Sequence, residues 1–127
     1  GRTEETMIER YNIKSDIVTQ LKKVAELKLV SAEYPNTWSQ MPAAIYSTKA
    51  KPHKKDISDK EALTEWTVKV DLYGNKSLSA IQSEIIKVLK EIGFKNTASD
   101  DGNQDALKRS ILTFRGVVDN RTLFVYQ

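Results

Sequence analysis

Residues 64–73 read TEWTVKVDLY, and this stretch decides the fold. Trp66, Val68, Val70 and Leu72 alternate with Glu65, Thr67, Lys69, Asp71 and Tyr73. A strict period of two sends one set to a buried face and the other to a face left to solvent or a partner. Such a strand needs a sheet with one covered face, and the cover has to come from elsewhere in the chain.

Amphipathic segments on either side supply it. Ile17, Leu21, Val24 and Leu27 recur at helical spacing behind a Ser15-Asp16 cap, which predicts a helix over about 16–29. Beyond Gly74-Asn75, the positions Leu78, Ile81, Ile85, Val88 or Leu89, and Ile92 form a second stripe. Ser79 and Gln82 have capping-box spacing (with Ser77 as an earlier cap), and Gly93 stands where a C′ glycine belongs. Shorter strands are expected at 43–47, 94–99, 110–119 and 123–126, the last two joined by Asn120-Arg121-Thr122 as an antiparallel hairpin. The stretch 31–42 carries Pro35 and Pro42 and reads as a connecting loop, with Trp38 tucked onto the core. The order predicts an α+β two-layer sandwich: a mainly antiparallel sheet of four to five strands, two helices packed on one face, and the other face exposed.

The chain has 127 residues, enough for one domain at 7–127. Gly1 to Thr6 are polar and read as an added leader ahead of a native start at Met7. No cysteine is present, which removes disulfides, thiolate nucleophiles and cysteine-based zinc sites. No apolar run approaches the roughly 18 residues of a membrane span, so no membrane association is expected. Twenty basic and 17 acidic residues leave a net charge of +3, well short of a dedicated nucleic-acid binder.

The residues of catalysis are sparse. His53 is the only histidine, set among Lys51, Pro52, Lys54 and Lys55, a poor place to hold an imidazole in fixed geometry. Asp100, Asp101, Asn103 and Asp105 lack calcium-loop spacing, since Lys occupies position 108, and read as a turn. The five glycines form no phosphate-binding loop. A non-enzymatic protein without metal or cofactor is expected. Positive charge gathers at 49–60, KAKPHKKDISDK, which reads as a long flexible basic loop, either solvated or in contact with an acidic surface or DNA phosphates. Lys51, Lys54 and Lys55 are therefore candidate assembly contacts, joined by Tyr73 and Tyr126 as exposed residues at strand ends. Trp38, Trp66, Tyr46, Phe114 and Phe124 are taken as core.

Taken together, MIERYNIKSDIVTQLKK from Met7, PAAIY from Pro42, EWTVKVDLYGN from Glu65, SLSAIQSEIIKVLKEIGFKNT from Ser77 and the closing ILTFRGVVDNRTLFVYQ resemble the tail completion, or tail terminator, proteins of long-tailed bacteriophages and prophages. The resemblance covers 7–127 and rests on order and spacing. It implies a sheet with helices on one side, no cofactor, and a structural protein that assembles as a ring, commonly a hexamer. One ring face would meet the major tail tube protein and the other the head completion or neck protein. DNA would be met only in passing. The implied location is the virion tail, reached from the bacterial host cytoplasm during assembly. Two alternatives share the same sequence features: another head–tail connector or neck protein, and a small nucleic-acid-binding α+β domain.

Overall fold

The computed structural model describes residues 9–55, 61–103 and 107–126. Among them are two helices, α1 (Lys14–Leu21) and α2 (Ser79–Glu91). Six strands complete the fold: β1 (Leu29–Ser31), β2 (Ala43–Lys55), β3 (Glu61–Gly74), β4 (Lys95–Asp101), β5 (Lys108–Asp119) and β6 (Val125–Tyr126).

The alternating segment lies at the centre as β3. The sheet order is β1-β2-β3-β5-β4, with β6 also paired to β5. Every pairing is antiparallel except β1 with β2. Trp66, Val68, Val70 and Leu72 point to one face and are buried with Leu112 and Phe114 of β5. Ile17 and Leu21 of α1 and Ile81, Ile85, Val88 and Leu89 of α2 close over them. This is the expected two-layer α+β sandwich, its apolar face covered by both helices, with six strands in place of the four to five expected because Leu29–Ser31 joins the sheet as an edge strand.

Helix α2 ends as its sequence predicts. Gly93 has φ +91°, its N–H donates to the Lys90 carbonyl at 2.9 Å, and the Phe94 N–H donates to the Leu89 carbonyl at 3.0 Å. This paired closure leaves Phe94 and Leu89 both buried. At the other end the capping box is not formed: Leu78 is the N-cap, without a side-chain cap bond.

Helix α1 is shorter than expected. Its stripe is real, but after Leu21 the chain continues in three-residue turns, Val24 to Leu21 and Leu27 to Val24. These keep Val24 buried without a helix. Leu29–Ser31 then pairs with β2 as a strand instead of ending a helix. Asn12, not Ser15, supplies the oxygen at the helix start, accepting the Lys14 N–H at 3.0 Å. Spacings of three residues fit both α-helix and successive tight turns, so the stripe alone does not separate them.

The largest departure is at 49–60. Lys49 to Lys55 are not a loop but the second half of β2, paired with β3 out to Lys55↔Glu61. Residues 56–60 lie outside the described residues. Backbone pairing to β3 overrides the lack of apolar period, because a ladder satisfies amides whatever the side chains. Pro52 is tolerated because β1 pairs only with 43–45, so that among the described residues nothing pairs with the outer edge of β2 along the rest of the strand.

Val70 and Ile85 are both fully buried. A carboxylate at either site has no partner in this core, and we expect Val70→Asp and Ile85→Asp each to cost about 3–5 kcal/mol. Thermal melting and solubility check this. Melting within a few degrees of the parent would show that the two faces have been misassigned.

Candidate assembly surface

Beyond its core, β3 sends Glu65, Thr67, Lys69, Asp71 and Tyr73 to the sheet face opposite the helices. This face is not simply open. The connection between β1 and β2 crosses one end of it as a strap, and Asp71 holds the strap down. Arg109 donates to both Asp71 oxygens, Nε and Nη2 each at 2.8 Å. The Tyr34 hydroxyl donates at 2.6 Å and that of Tyr73 at 3.2 Å. Trp38 lies against Tyr73 with ring centroids 4.4 Å apart, Tyr34 meets both rings edge-on, and the Arg109 guanidinium sits 5.4 Å from the centre of the Tyr73 ring. Asp71 is only 6% exposed in consequence.

The electrostatics follow from this packing. Burial alone would lift the Asp71 carboxyl, but the Arg109 guanidinium and the Tyr34 hydroxyl outweigh it, leaving Asp71 below the usual carboxylate range. Donating to Asp71 pushes Tyr34 up to about 12. Burial raises Tyr73 as well.

The β2–β3 hairpin carries a second charged group. Glu65 accepts from Arg115 at 3.1 Å and lies 3.9 Å from Lys51 Nζ and 3.7 Å from His53 Nδ1. Arg115, chiefly, holds its carboxyl below the usual range. His53 is thus a strand residue beside a carboxylate rather than a loop residue. Nearer the tip, Arg10 grips Glu61 with two bonds of 2.8 and 2.9 Å, and Thr64 also donates to Glu61. Asn120 donates to Thr64 Oγ1 at 2.8 Å and accepts the Tyr11 N–H at 3.1 Å, tying the segment just before α1 to the β5–β6 turn.

That turn presents apolar side chains to water. The Asp119 carboxylate accepts the Arg121 and Thr122 amides at 2.9 and 3.2 Å, and these bonds, that of Arg121 first, hold its pKa low. Leu123 follows with φ +66°, a conformation costly for a bulky residue. Phe124 is 66% exposed and Tyr126 50%. Beside them a groove of about 530 Å³ runs between α2 and β6, lined by Ile13, Ile92, Phe94 and Val125 among others.

Of the candidate contacts, Lys51 and Lys54 are exposed on the hairpin and Tyr126 at the corner. The backbone of Lys55 ends β2. Tyr73 is not exposed: it lies beneath Tyr34 and Trp38 and is a fixing point for the strap. Two aromatics taken as core also move. Trp38 is half-buried on the strap side of the sheet, and Phe124 is the most exposed large apolar residue among the described residues. Sequence reasoning missed the Asp71–Arg109 pair because its partners stand 38 positions apart. The available signal was a loop with two aromatics, Tyr34 and Trp38, which need a surface to lie on. Asp100 and Asp101 are exposed on β4, and among the described residues no cluster of acidic or histidine side chains is placed to hold a metal. Nor is any described helix long and apolar enough to cross a membrane.

No protein-family model matches the chain, and no curated protein matches it in sequence.

Two predictions concern the strap. Arg109→Met leaves a buried carboxylate with tyrosine donors alone and should cost about 2–4 kcal/mol in urea unfolding at neutral pH. A carboxyl held low in the fold contributes stability above its unfolded pKa and loses it as pH falls through the folded one. The penalty of Arg109→Met should therefore shrink on acidification, and a penalty independent of pH would show that Asp71 is not the group involved. Tyr34, raised from 10.0 to about 12, contributes stability below pH 10 that is lost across that interval. Tyr34→Phe should remove one late-ionising tyrosine from a tyrosinate absorbance titration and flatten the alkaline loss of stability.

Proposed function

We propose that this chain is a non-enzymatic structural subunit of a long-tailed phage or prophage particle, one that completes the tail by capping its tube and joining it to the head. The observation that carries the reading is the unlikeness of the two ends of the sheet. At one end the strap, Tyr73 and Arg109 form a closed, cross-bonded surface. At the other the β2–β3 hairpin, the Arg10–Glu61 pair and the exposed Leu123, Phe124 and Tyr126 stand together, since Asp119 pairs with Leu63 and the Asn120 amide bonds Ala62. Exposed large apolar residues held by a strained turn are placed for a partner rather than for stability. The resemblance over 7–127 supplies the setting.

Such a subunit works by surface complementarity. To stop a growing tube it must bind the last tube ring without offering the same surface again. Head-to-tail contacts between identical copies have to return to the start as a closed ring, for which a hexamer is the expectation. The same contacts left open would make a fibre. The corner around Phe124 and the hairpin residues Lys51 and Lys54 are the candidates for contacts with neighbouring copies or the tube protein. The neck protein then takes the opposite ring face. The work is done in the virion tail after assembly in the host cytoplasm.

Deleting the gene from its phage or prophage and imaging the lysate tests this directly. Tails of uncontrolled length, or finished tails without heads, are expected. Complementation by Phe124→Ser should fail although the purified variant melts like the parent, because Phe124 is exposed and contributes little to the core. Normal, joined and infectious virions from the deletion would refute the proposal.

A further inference from the structure

The strap covers only one end of the sheet face opposite the helices. On the uncovered part, the strand register assembles a cationic surface from four separate strands. Lys49 of β2 lies opposite Thr67 of β3, Thr67 opposite Arg115 of β5, and Arg115 opposite Lys95 of β4. One step along, Ser47, Lys69, Thr113 and Ala98 form the next cross-strand row, and on the other side Lys51, Glu65, Val117 and Tyr126 of β6 form another. Five cationic side chains thus share three rows with a single carboxylate, an excess greater than the +3 of the whole chain.

That carboxylate is already committed. Glu65 serves Arg115, Lys51 and His53. Lys49, Lys69 and Lys95 are exposed, and among the described residues none of them has a carboxylate in ion-pair range. Lys95 moreover stands directly opposite Arg115, a like-charge pairing that weakens a sheet unless something neutralises it. Between the cations lie Ser47, Thr67, Thr113 and Ala98, small side chains that keep the surface low and offer hydroxyl donors. Three interstrand steps of about 4.8 Å each separate Lys49 from Lys95, too wide for one acidic side chain to bridge.

We infer that this face binds the phosphate backbone of double-stranded DNA without reading its sequence. A duplex carries one negative charge per roughly 1.7 Å of axis, so it meets lysine and arginine side chains spread across four strands at once, which an acidic peptide of lower charge density does not. The single aromatic side chain in the three rows is Tyr126 of β6, at the end of the third row opposite Val117, and one ring is no run of platforms for stacking successive single-stranded bases. Contacts limited to phosphates position a duplex and carry no sequence information. The inference stands apart from the assembly reading, because it concerns the isolated chain and is read by DNA binding rather than by tail length.

Fluorescence anisotropy with a short mixed-sequence duplex tests it. Neutralising about four phosphates gives a slope of about −3 to −4 for log affinity against log salt. Combined Lys49→Gln, Lys69→Gln and Lys95→Gln should weaken binding at least about tenfold at low salt and bring the slope to about −1. Combined Lys22→Gln, Lys87→Gln and Lys90→Gln removes the same charge from exposed positions on or beside the helices and should leave the affinity within about threefold. Combined Lys49→Arg, Lys69→Arg and Lys95→Arg should retain binding and thereby exclude a folding defect. Equal loss in both glutamine triples, absence of saturable binding at low salt, or displacement of the duplex by poly-glutamate at equal charge would overturn the inference. The last result would assign the face to an acidic protein instead.

Discussion

Strand β3 is paired along both sides, with β2 on one and β5 on the other. A strand held in this way cannot turn away from water, so both of its faces have to be provided for by other parts of the chain. One face is apolar without interruption from Trp66 to Leu72, and two helices cover it. Breaking that face costs several kcal/mol at any single position, a large share of what a domain this size has. The other face is polar and receives two different treatments along its length: a strap at one end and open charge toward the other.

The strap shows how a polar residue comes to be buried in a sheet face that sequence assigns to solvent. Asp71 alone would stay in water. Arg109 from the neighbouring strand and Tyr34 from the β1–β2 connection supply enough hydrogen bonds to offset its desolvation, and Trp38 closes over Tyr73 beside it. A buried charge pair of this kind contributes little net stability compared with an apolar filling, but it admits only one arrangement of the connection. The result is one cross-bonded end of the molecule and one end where the hairpin, residues 10 and 11 and the β5–β6 turn meet with apolar groups exposed. That asymmetry underlies the proposed part in tail completion.

The elements with a strong period were legible. Strand β3 and helix α2 appear where alternation and the helical stripe put them, and Gly93 closes α2 as its position implied. Where the period was weak or ambiguous, pairing decided. Leu29–Ser31 became an edge strand because β2 was there to receive it, and Lys49–Lys55 became strand because β3 offered free amides and carbonyls. The candidate contacts fared unevenly for a related reason. Exposure of a strand end depends on what crosses it, so Tyr126 stayed exposed while Tyr73 was covered.

By itself the sequence determined the fold class, the covered face of the sheet, the two helices and the scarcity of catalytic side chains. All of these follow from spacing within a single segment or from composition. Tertiary structure alone decided that Asp71 meets Arg109 and Tyr34, that Phe124 projects while Trp38 lies on a strap, and that Lys49, Lys69, Lys95 and Arg115 share one surface. Each depends on the register between strands distant in sequence. A shift of one residue in any of those pairings would send the same side chains to the opposite face.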